Sequence, residues 1–159
     1  MKALEVARYI IAKSDNVGDL ITNKKLQKLL YYVKAWGLVY FDEGVIEDEF
    51  EAWIHGPVCV AVYQEYKRFG YNPIGFEYPN GMSSSQYIKM FWKDKNQNMM
   101  EMIDAVFAKY SVLSSFQLEL LTHSEKPWIE ARGNLLPIEN GNAVIQEETM
   151  KNFYSKKNG

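Results

Sequence analysis

The sequence has little cysteine, no excess of positive charge and no long apolar run. One cysteine in 159 residues excludes a disulfide within the chain and fits a reducing cytoplasm. The formal net charge is −2, so no overall basic field draws the chain to nucleic acid. No apolar run approaches the roughly 18 residues of a membrane span, and no signal-peptide cleavage site follows the N-terminus. We therefore expect a cytoplasmic protein that binds neither nucleic acid nor membranes.

Several chemical motifs are also missing. The sequence contains no glycine-rich nucleotide-binding loop and no HExxH pair of the kind found in helical zinc proteases. A structural zinc site usually needs four Cys or His ligands, and this chain offers only His55, Cys59 and His123. We therefore expect no metal site and no cofactor.

Aromatic residues, by contrast, are abundant. They make up 14% of the chain, including 11 tyrosines and 4 tryptophans. Large apolar side chains are mostly buried, which favours a core rich in rings, although Tyr and Trp are also enriched in protein interfaces. The length is that of one compact domain, so we expect a single domain over residues 1–159.

Residues 22–41, TNKKLQKLLYYVKAWGLVYF, predict the central helix of the fold. Thr22 has a side chain suited to an N-cap, and leucines recur behind it at helical spacing. In the first half, Lys28 and Tyr31 lie on the face opposite this stripe, whereas the second half is apolar all round. The pattern predicts a helix that runs into the core and leaves residues 24–32 as a surface for a partner.

The remaining segments predict a mainly α fold. Helical spacing and caps indicate further helices at residues 2–13, 58–69, 96–110, 114–123 and 127–132 and near the C-terminus. Gly56 and Pro57 are interpreted as the start of one of them, and residues 45–54 alternate as a short strand would. The prediction is a compact single-domain helical fold of six or seven helices around a central helix, with a minor extended or hairpin element.

Residues 71–95 are rich in turn signals, including Asn72-Pro73 and a serine tract. Two interpretations stay open for this segment. Residues 74–78 and 86–90 pair as a small hairpin, or the whole segment is a mobile loop.

Cys59, the one cysteine, is the candidate thiol nucleophile, with His55 or His123 as its general base. A lone cysteine among valines and alanine is more often an inert apolar side chain. Each histidine can equally hydrogen-bond the backbone near a helix end. The residues alone therefore favour a structural role for all three.

Three motifs in this order resemble the Panacea domain family, also described as phage-associated or GepA-like proteins. They are KLQKLLYY at residues 25–32, AWIHGPV at 52–58 and THSEKPW at 122–128, which we call the first, second and third motifs. The resemblance extends from about Val6 to about Tyr154, nearly the whole chain. The combination is specific, whereas each motif alone is weak.

The resemblance implies an antitoxin that neutralises a cognate protein toxin by direct contact. In one branch of the family it also implies a proteolytic adaptor that delivers the toxin to an ATP-dependent protease. It implies a mainly helical fold and no catalytic residues. The candidate partner-binding residues at positions matching the motifs or beside them are Lys25, Lys28, Tyr31, Tyr32, Trp36, His55, Tyr63, His123 and Trp128. The positions interpreted as structural signature are Leu26, Leu29, Gly56 and Pro57.

Two other functions stay open at this point. One is an enzyme that uses His55, Cys59 or His123. A deep polar pocket that contains a titratable group with a shifted pKa would support this alternative. The other is a DNA-binding regulator of its own operon, for which a separate helix-turn-helix would be expected.

Overall fold

The structure is a computed structural model that describes residues 1–158. These residues form eight α-helices, one antiparallel two-stranded hairpin and two short 3₁₀ turns. The helices are α1 (Ala3–Asn16), α2 (Asn23–Tyr40), α3 (Val60–Tyr66), α4 (Ser84–Trp92), α5 (Gln97–Tyr110), α6 (Ser115–His123), α7 (Lys126–Arg132) and α8 (Glu147–Asn158). The strands are β1 (Glu51–Trp53) and β2 (Gly56–Val58). The predicted mainly α fold is confirmed, with one or two helices more than the pattern indicated.

Helix α2 is the centre of the fold. Thr22 caps it by accepting a hydrogen bond from the backbone N–H of Lys25 at 3.3 Å, as predicted. Every residue from Leu26 to Leu38 is buried, because α1, α3, α5, α6, α8 and β2 all pack against this helix. The expected free surface over residues 24–32 is therefore wrong from Leu26 onward, where Lys28 and Tyr31 are each 1% exposed; Lys24 and Lys25 are half-buried.

A buried polar network ties the first motif to the third. The Tyr32 hydroxyl donates to Glu125 Oε1 at 2.6 Å, and the Tyr154 hydroxyl from α8 donates to the same oxygen at 2.8 Å. Tyr154 also lies 3.1 Å from the Tyr31 hydroxyl, and Tyr32 stacks on Tyr110 with ring centroids 3.9 Å apart. Burial raises the pKa of Glu125, and the hydrogen bonds from Tyr32 and Tyr154 oppose that rise. These rings therefore serve the core.

The second motif forms the hairpin, so the helix predicted to start at Gly56-Pro57 is wrong. Gly56 has a φ of +114°, which no helical residue adopts, and α3 begins only at Val60. Pro57 lies opposite Ala52, whose own N–H donates to Ala143 O on the other side at 2.8 Å. The strand pair thus needs no N–H from Pro57, which explains why proline is tolerated there.

Helix α4 replaces the hairpin predicted within residues 71–95. Ser83 begins the helix with a capping box: Ser83 Oγ accepts from Gln86 N at 3.1 Å and Gln86 Oε1 accepts from Ser83 N at 2.8 Å. Tyr87 and Phe91, four residues apart, are buried, and Phe91 stacks on Tyr9 of α1. The serine tract is a helix start, and not the polar loop that its composition indicated.

None of the helices within residues 1–158 has the combination of length and apolarity needed to cross a membrane.

Candidate functional site

The three motifs converge at Gly56 of β2, where the side chains of Lys28 from α2 and Thr122 from α6 both come close to the backbone. A Cβ atom at Gly56 would lie 2.5 Å from Lys28 Cε and 3.0 Å from Thr122 Oγ1. Glycine is needed at this position both for the φ of +114° and for the close approach of the lysine stem. Lys28 and Thr122 are 94 positions apart in sequence, yet both side chains lie close to Gly56.

A cleft of about 360 Å³ opens above Lys28, between the first turns of α2, the hairpin, α3 and the turn after it. We call it the Lys28 cleft. It is lined by Asn23, Lys24, Gln27, Lys28, Trp53, Ile54, His55, Val58, Tyr63, Lys67, Gly70 and Tyr71. Its volume falls at the lower end of the range for ligand sites in proteins, about 300–1,000 Å³.

Lys28 is the unusual group in the cleft. Its side chain is buried, and within residues 1–158 its Nζ makes no hydrogen bond or ion pair. Burial lowers the pKa of Lys28 to about 7; the charge of Lys24 adds to this effect and that of Glu119 opposes it. Both the ammonium and the neutral amine are therefore populated near neutral pH.

Glu119 of α6 holds the charged rim of the cleft together. Its Oε1 lies 2.6 Å from Lys24 Nζ, and its Oε2 lies 3.5 Å from His55 Nδ1 at the exposed hairpin turn. Burial alone would raise the pKa of Glu119, but the hydrogen bond and charge of Lys24, together with His55, outweigh it and hold the pKa below its usual value. Glu119 is thus already engaged by two cations other than Lys28.

His123 of the third motif lies beside this cluster and stacks on Trp128, with ring centroids 3.9 Å apart. Its Nε2 is buried and has no hydrogen-bond partner among residues 1–158. Burial lowers its pKa; the positive charges of Lys28 and His55 add to this effect and Glu119 opposes it, so the ring is neutral at pH 7. Trp128 donates its Nε1–H to Trp53 O at 2.9 Å and fastens α7 to the hairpin.

The structure corrects part of the predicted partner-binding set. Tyr31 and Tyr32 are buried in the core, and Trp36 is 7% exposed with its N–H donated to the Tyr110 hydroxyl at 2.8 Å. They cannot meet a partner directly, because neighbouring helices cover them. Trp128 is likewise buried at 9% exposure.

The other predicted residues have different positions. Lys25 is half-buried and donates to Ser111 O at 2.6 Å. His55 is exposed, Tyr63 is half-buried at the cleft, and Lys28 is buried at its base. The four signature positions lie in the core or in the hairpin: Leu26, Leu29, Gly56 and Pro57 are all buried.

Cys59 does not form a nucleophile pair with either histidine. Its sulfur faces the backbone N–H groups of Val62 and Ala61 at the start of α3, and neither His55 nor His123 hydrogen-bonds to it in the described part of the chain. Burial raises the pKa of the thiol. The arrangement is that of a buried apolar side chain.

No group of three or more His, Cys, Asp or Glu side chains suited to a metal ion occurs within residues 1–158.

Sequence reasoning missed Glu119 and the aromatic rim of the cleft. Glu119 stands alone in the run FQLELL, and a single carboxylate in an otherwise apolar helical run is a signal that it has a partner. Trp53 and Tyr63 pack edge to face at 4.9 Å, and Tyr71 beside them is 95% exposed. Nothing in the local pattern places Tyr71 next to the second motif.

Comparison with known proteins gives one match. No curated protein and no solved structure matches this chain. The sequence model of the family described as antitoxin SocA-like, Panacea domain matches residues 26–129, about two-thirds of the chain. The matched range contains all the residues of the Lys28 cleft from Gln27 to Tyr71, together with Glu119 and Thr122. The match confirms the resemblance carried by the three motifs, and the chain therefore belongs to the antitoxin SocA-like, Panacea domain family.

Proposed function

We propose that this protein is an antitoxin that neutralises a cognate protein toxin by binding it directly, through the surface around the Lys28 cleft. Membership of the family supports an antitoxin role and implies a toxin partner. The observation that favours this surface is the meeting of the second motif with the first and third at a solvent-accessible cleft. Elsewhere the first motif is mostly buried in the core.

The rim of the cleft has the composition of an interface. Trp53, Tyr63 and Tyr71 surround its mouth, and Tyr and Trp carry a large share of the binding energy in protein complexes. Tyr71 is 95% exposed, so its ring gains apolar burial only when another molecule covers it.

A second apolar feature extends this surface. Phe116 and Leu120, four residues apart on α6, are both exposed. The Lys24–Glu119 ion pair joins α6 to the first turn of α2 at the cleft, and Lys25 donates to Ser111 just ahead of α6. A standard interface covers about 800 Å² per partner, so a toxin that binds at the cleft would also contact neighbouring surface, for which the α6 stripe is the candidate.

Co-expression tests the proposal. The product of the adjacent gene is expressed in a bacterial host with and without this protein, and growth is measured. We expect growth arrest by the toxin alone and rescue by the wild-type antitoxin. Absence of toxicity, or toxicity that persists with the antitoxin present, contradicts the proposal. Repeating the rescue in hosts that lack individual ATP-dependent proteases shows whether an adaptor activity contributes.

Surface variants locate the interface. Tyr71→Ala and the double variant Phe116→Ser with Leu120→Ser should weaken rescue while leaving the thermal unfolding midpoint within a few degrees, because all three side chains are exposed. Met90→Ala is the matched control: Met90 is also exposed but lies on α4, which contributes no residue to the cleft. Equal rescue by all four proteins would place the interface elsewhere.

A further inference from the structure

We propose that the Lys28 cleft is a carboxylate-binding pocket that receives an aspartate or glutamate side chain of the toxin, with Lys28 as its ammonium partner. This inference rests on the proposed function and adds the chemistry of the contact.

The first observation is that Lys28 has no partner within the protein. An ammonium carries three donors. Lys28 is 1% exposed, and within residues 1–158 its Nζ has neither a hydrogen bond nor an ion pair. Lys28 Nζ is not one of the fully enclosed polar atoms without a partner, so it is open to the cleft and its donors are available to a ligand there.

The second observation is that the other polar groups around the cleft have partners, with the exception of the buried Nε2 of His123 beside it. Glu119 is paired with Lys24 and contacts His55. Gln27 accepts from Cys59 N at 2.8 Å and donates to Asn23 at 3.1 Å, and Asn23 donates to Tyr63 O at 3.4 Å. Lys28 is therefore the group at the base of the cleft left to recognise a ligand.

The third observation concerns the kind of anion. Phosphate groups are usually bound by several donors at once, from backbone N–H groups at a helix N-terminus or from arginine forks. The residues that line this cleft include no arginine. Of its three lysines, Lys24 is paired with Glu119 and Lys67 is exposed, so Lys28 is the one deeply buried ammonium, which matches one carboxylate. The aromatic mouth suits the stem of a protein side chain, so the occupant is an acidic residue of a protein.

Protonation of Lys28 is coupled to this binding. The charged or titratable groups around Lys28 are Lys24 on its own helix, Glu119 and His123 on α6, and His55 on the hairpin. Across the cleft lie Tyr63 on α3 and, after that helix, Lys67 and Tyr71. With a pKa of about 7, Lys28 is mostly neutral at pH 8, and an incoming carboxylate favours the ammonium. Binding at pH 8 should therefore take up nearly one proton. The affinity should fall about tenfold per pH unit above pH 7.

The first experiment uses the free, full-length protein. Lysines are labelled with ¹³C and ¹⁵N, the Lys28 side-chain signal is assigned by its loss in Lys28→Met, and its pH titration is followed with sodium acetate, sodium phosphate or sodium chloride at equal ionic strength. Acetate should raise the Lys28 pKa above its value in chloride, and phosphate should have less effect. The inference is overturned if acetate leaves the pKa unchanged or if phosphate acts at lower concentration than acetate.

The second experiment uses the purified toxin and calorimetry at pH 8 in two buffers of different ionisation enthalpy. Wild type should take up about one proton on binding, whereas Lys28→Met should take up none and bind at least tenfold more weakly. Lys28→Arg should retain tighter binding than Lys28→Met without the proton uptake. Lys89→Met, which removes an exposed lysine on α4, is the control for net charge and should behave as wild type.

These outcomes separate the two proposals. Wild-type affinity and proton uptake in Lys28→Met would overturn the carboxylate pocket and leave the antitoxin function intact. Failure of wild type itself to bind the toxin would overturn the proposed function, and the acetate titration would still decide whether Lys28 binds carboxylates. Thermal unfolding of each variant shows that it is folded, which is expected because methionine replaces a buried charge.

Discussion

At the scale of single residues, the second motif is explained by the side chain that lies over it. Gly56 leaves room for the stem of Lys28. The Lys28 side chain is buried, and this environment disfavours its charged form. A buried lysine without an ion-pair partner lowers the stability of the free protein. The cost of burying this charge can be measured.

Lys28→Met should raise the free energy of unfolding at pH 6, by up to the order of 4 kcal/mol. The unfolded pKa is about 10.5 and the folded pKa about 7, so the unfolded chain binds the extra proton between these values and wild-type stability rises with pH in that window. The advantage of the variant should therefore shrink by about 1.4 kcal/mol per pH unit above pH 7. Urea unfolding at pH 6, 7, 8 and 9 gives the free energy of unfolding of both proteins. The contributions from titration of Cys59 and the tyrosines are common to both and cancel in the difference. A constant difference would contradict the lowered pKa.

Gly56→Ala should destabilise the protein by about 3 kcal/mol, since the new methyl group meets Lys28 Cε at 2.5 Å and the φ of +114° is unfavourable for alanine. In a Lys28→Ala background the clash with the lysine stem should disappear, and the same substitution should cost about 1–2 kcal/mol from the backbone and the tight contact with Thr122 Oγ1 at 3.0 Å. The free energies of unfolding of wild type, Gly56→Ala, Lys28→Ala and the double variant give the coupling energy between the two positions. Additive effects would show that Lys28 does not pass over Gly56.

At the scale of elements, capping and packing decide what local composition leaves ambiguous. The Ser114 N-cap and the Pro127 helix start were predicted and are confirmed, because each signal lies within one turn of the helix it begins. The short strand predicted within residues 45–54 contains β1, whereas β2 and helix α4 were missed. In each case a residue has a role other than the one its local pattern indicated. The proline after Gly56 lies in a strand and does not begin a helix, and Ser83 caps a helix and does not belong to a polar loop.

Ser83→Ala should destabilise the protein by about 1 kcal/mol, because it removes the oxygen that accepts from Gln86 N and breaks the capping box of α4. Ser85→Ala is the matched control: Ser85 is exposed inside the same helix, where alanine is slightly favourable. Thermal unfolding should show a lower midpoint for the first variant and an equal or higher one for the second. Equal midpoints in the two variants would argue against the cap.

At the scale of the whole molecule, the core joins parts of the chain that the family match does not cover. Helix α8 lies beyond residue 129, yet Met150 and Tyr154 are fully buried against α2. Tyr154 also completes the hydrogen bonds of Glu125 in the third motif. The matched segment is therefore held in shape by the flanking helices.

Tyr154→Phe should destabilise the protein by about 1–3 kcal/mol, because it removes one of the two hydroxyl groups that hydrogen-bond the buried Glu125 carboxyl. The loss should be larger at pH 7 than at pH 4. The Tyr154 hydroxyl stabilises the charged form of the Glu125 carboxylate more than the neutral form. Burial already raises the pKa of Glu125 in the wild type, and loss of this donor should raise it further. Chemical unfolding at both pH values tests this, with Tyr71→Phe at an exposed position as the control. Equal stability of Tyr154→Phe and wild type at pH 7 would contradict the network.

The mainly α class, the central helix at residues 22–41 and the three motifs of one family could be read from the sequence, because caps, apolar spacing and motif order are local properties. The burial of both faces of that helix from Leu26 to Leu38 depends on the tertiary structure. Lys28 and Tyr31 occupy the side that looks polar, and they are buried because Gly56, Thr122 and α8 cover it from remote parts of the chain. Exposure depends on neighbours far away in sequence, and for that reason we propose a partner surface at the cleft above Lys28 and not along the first motif.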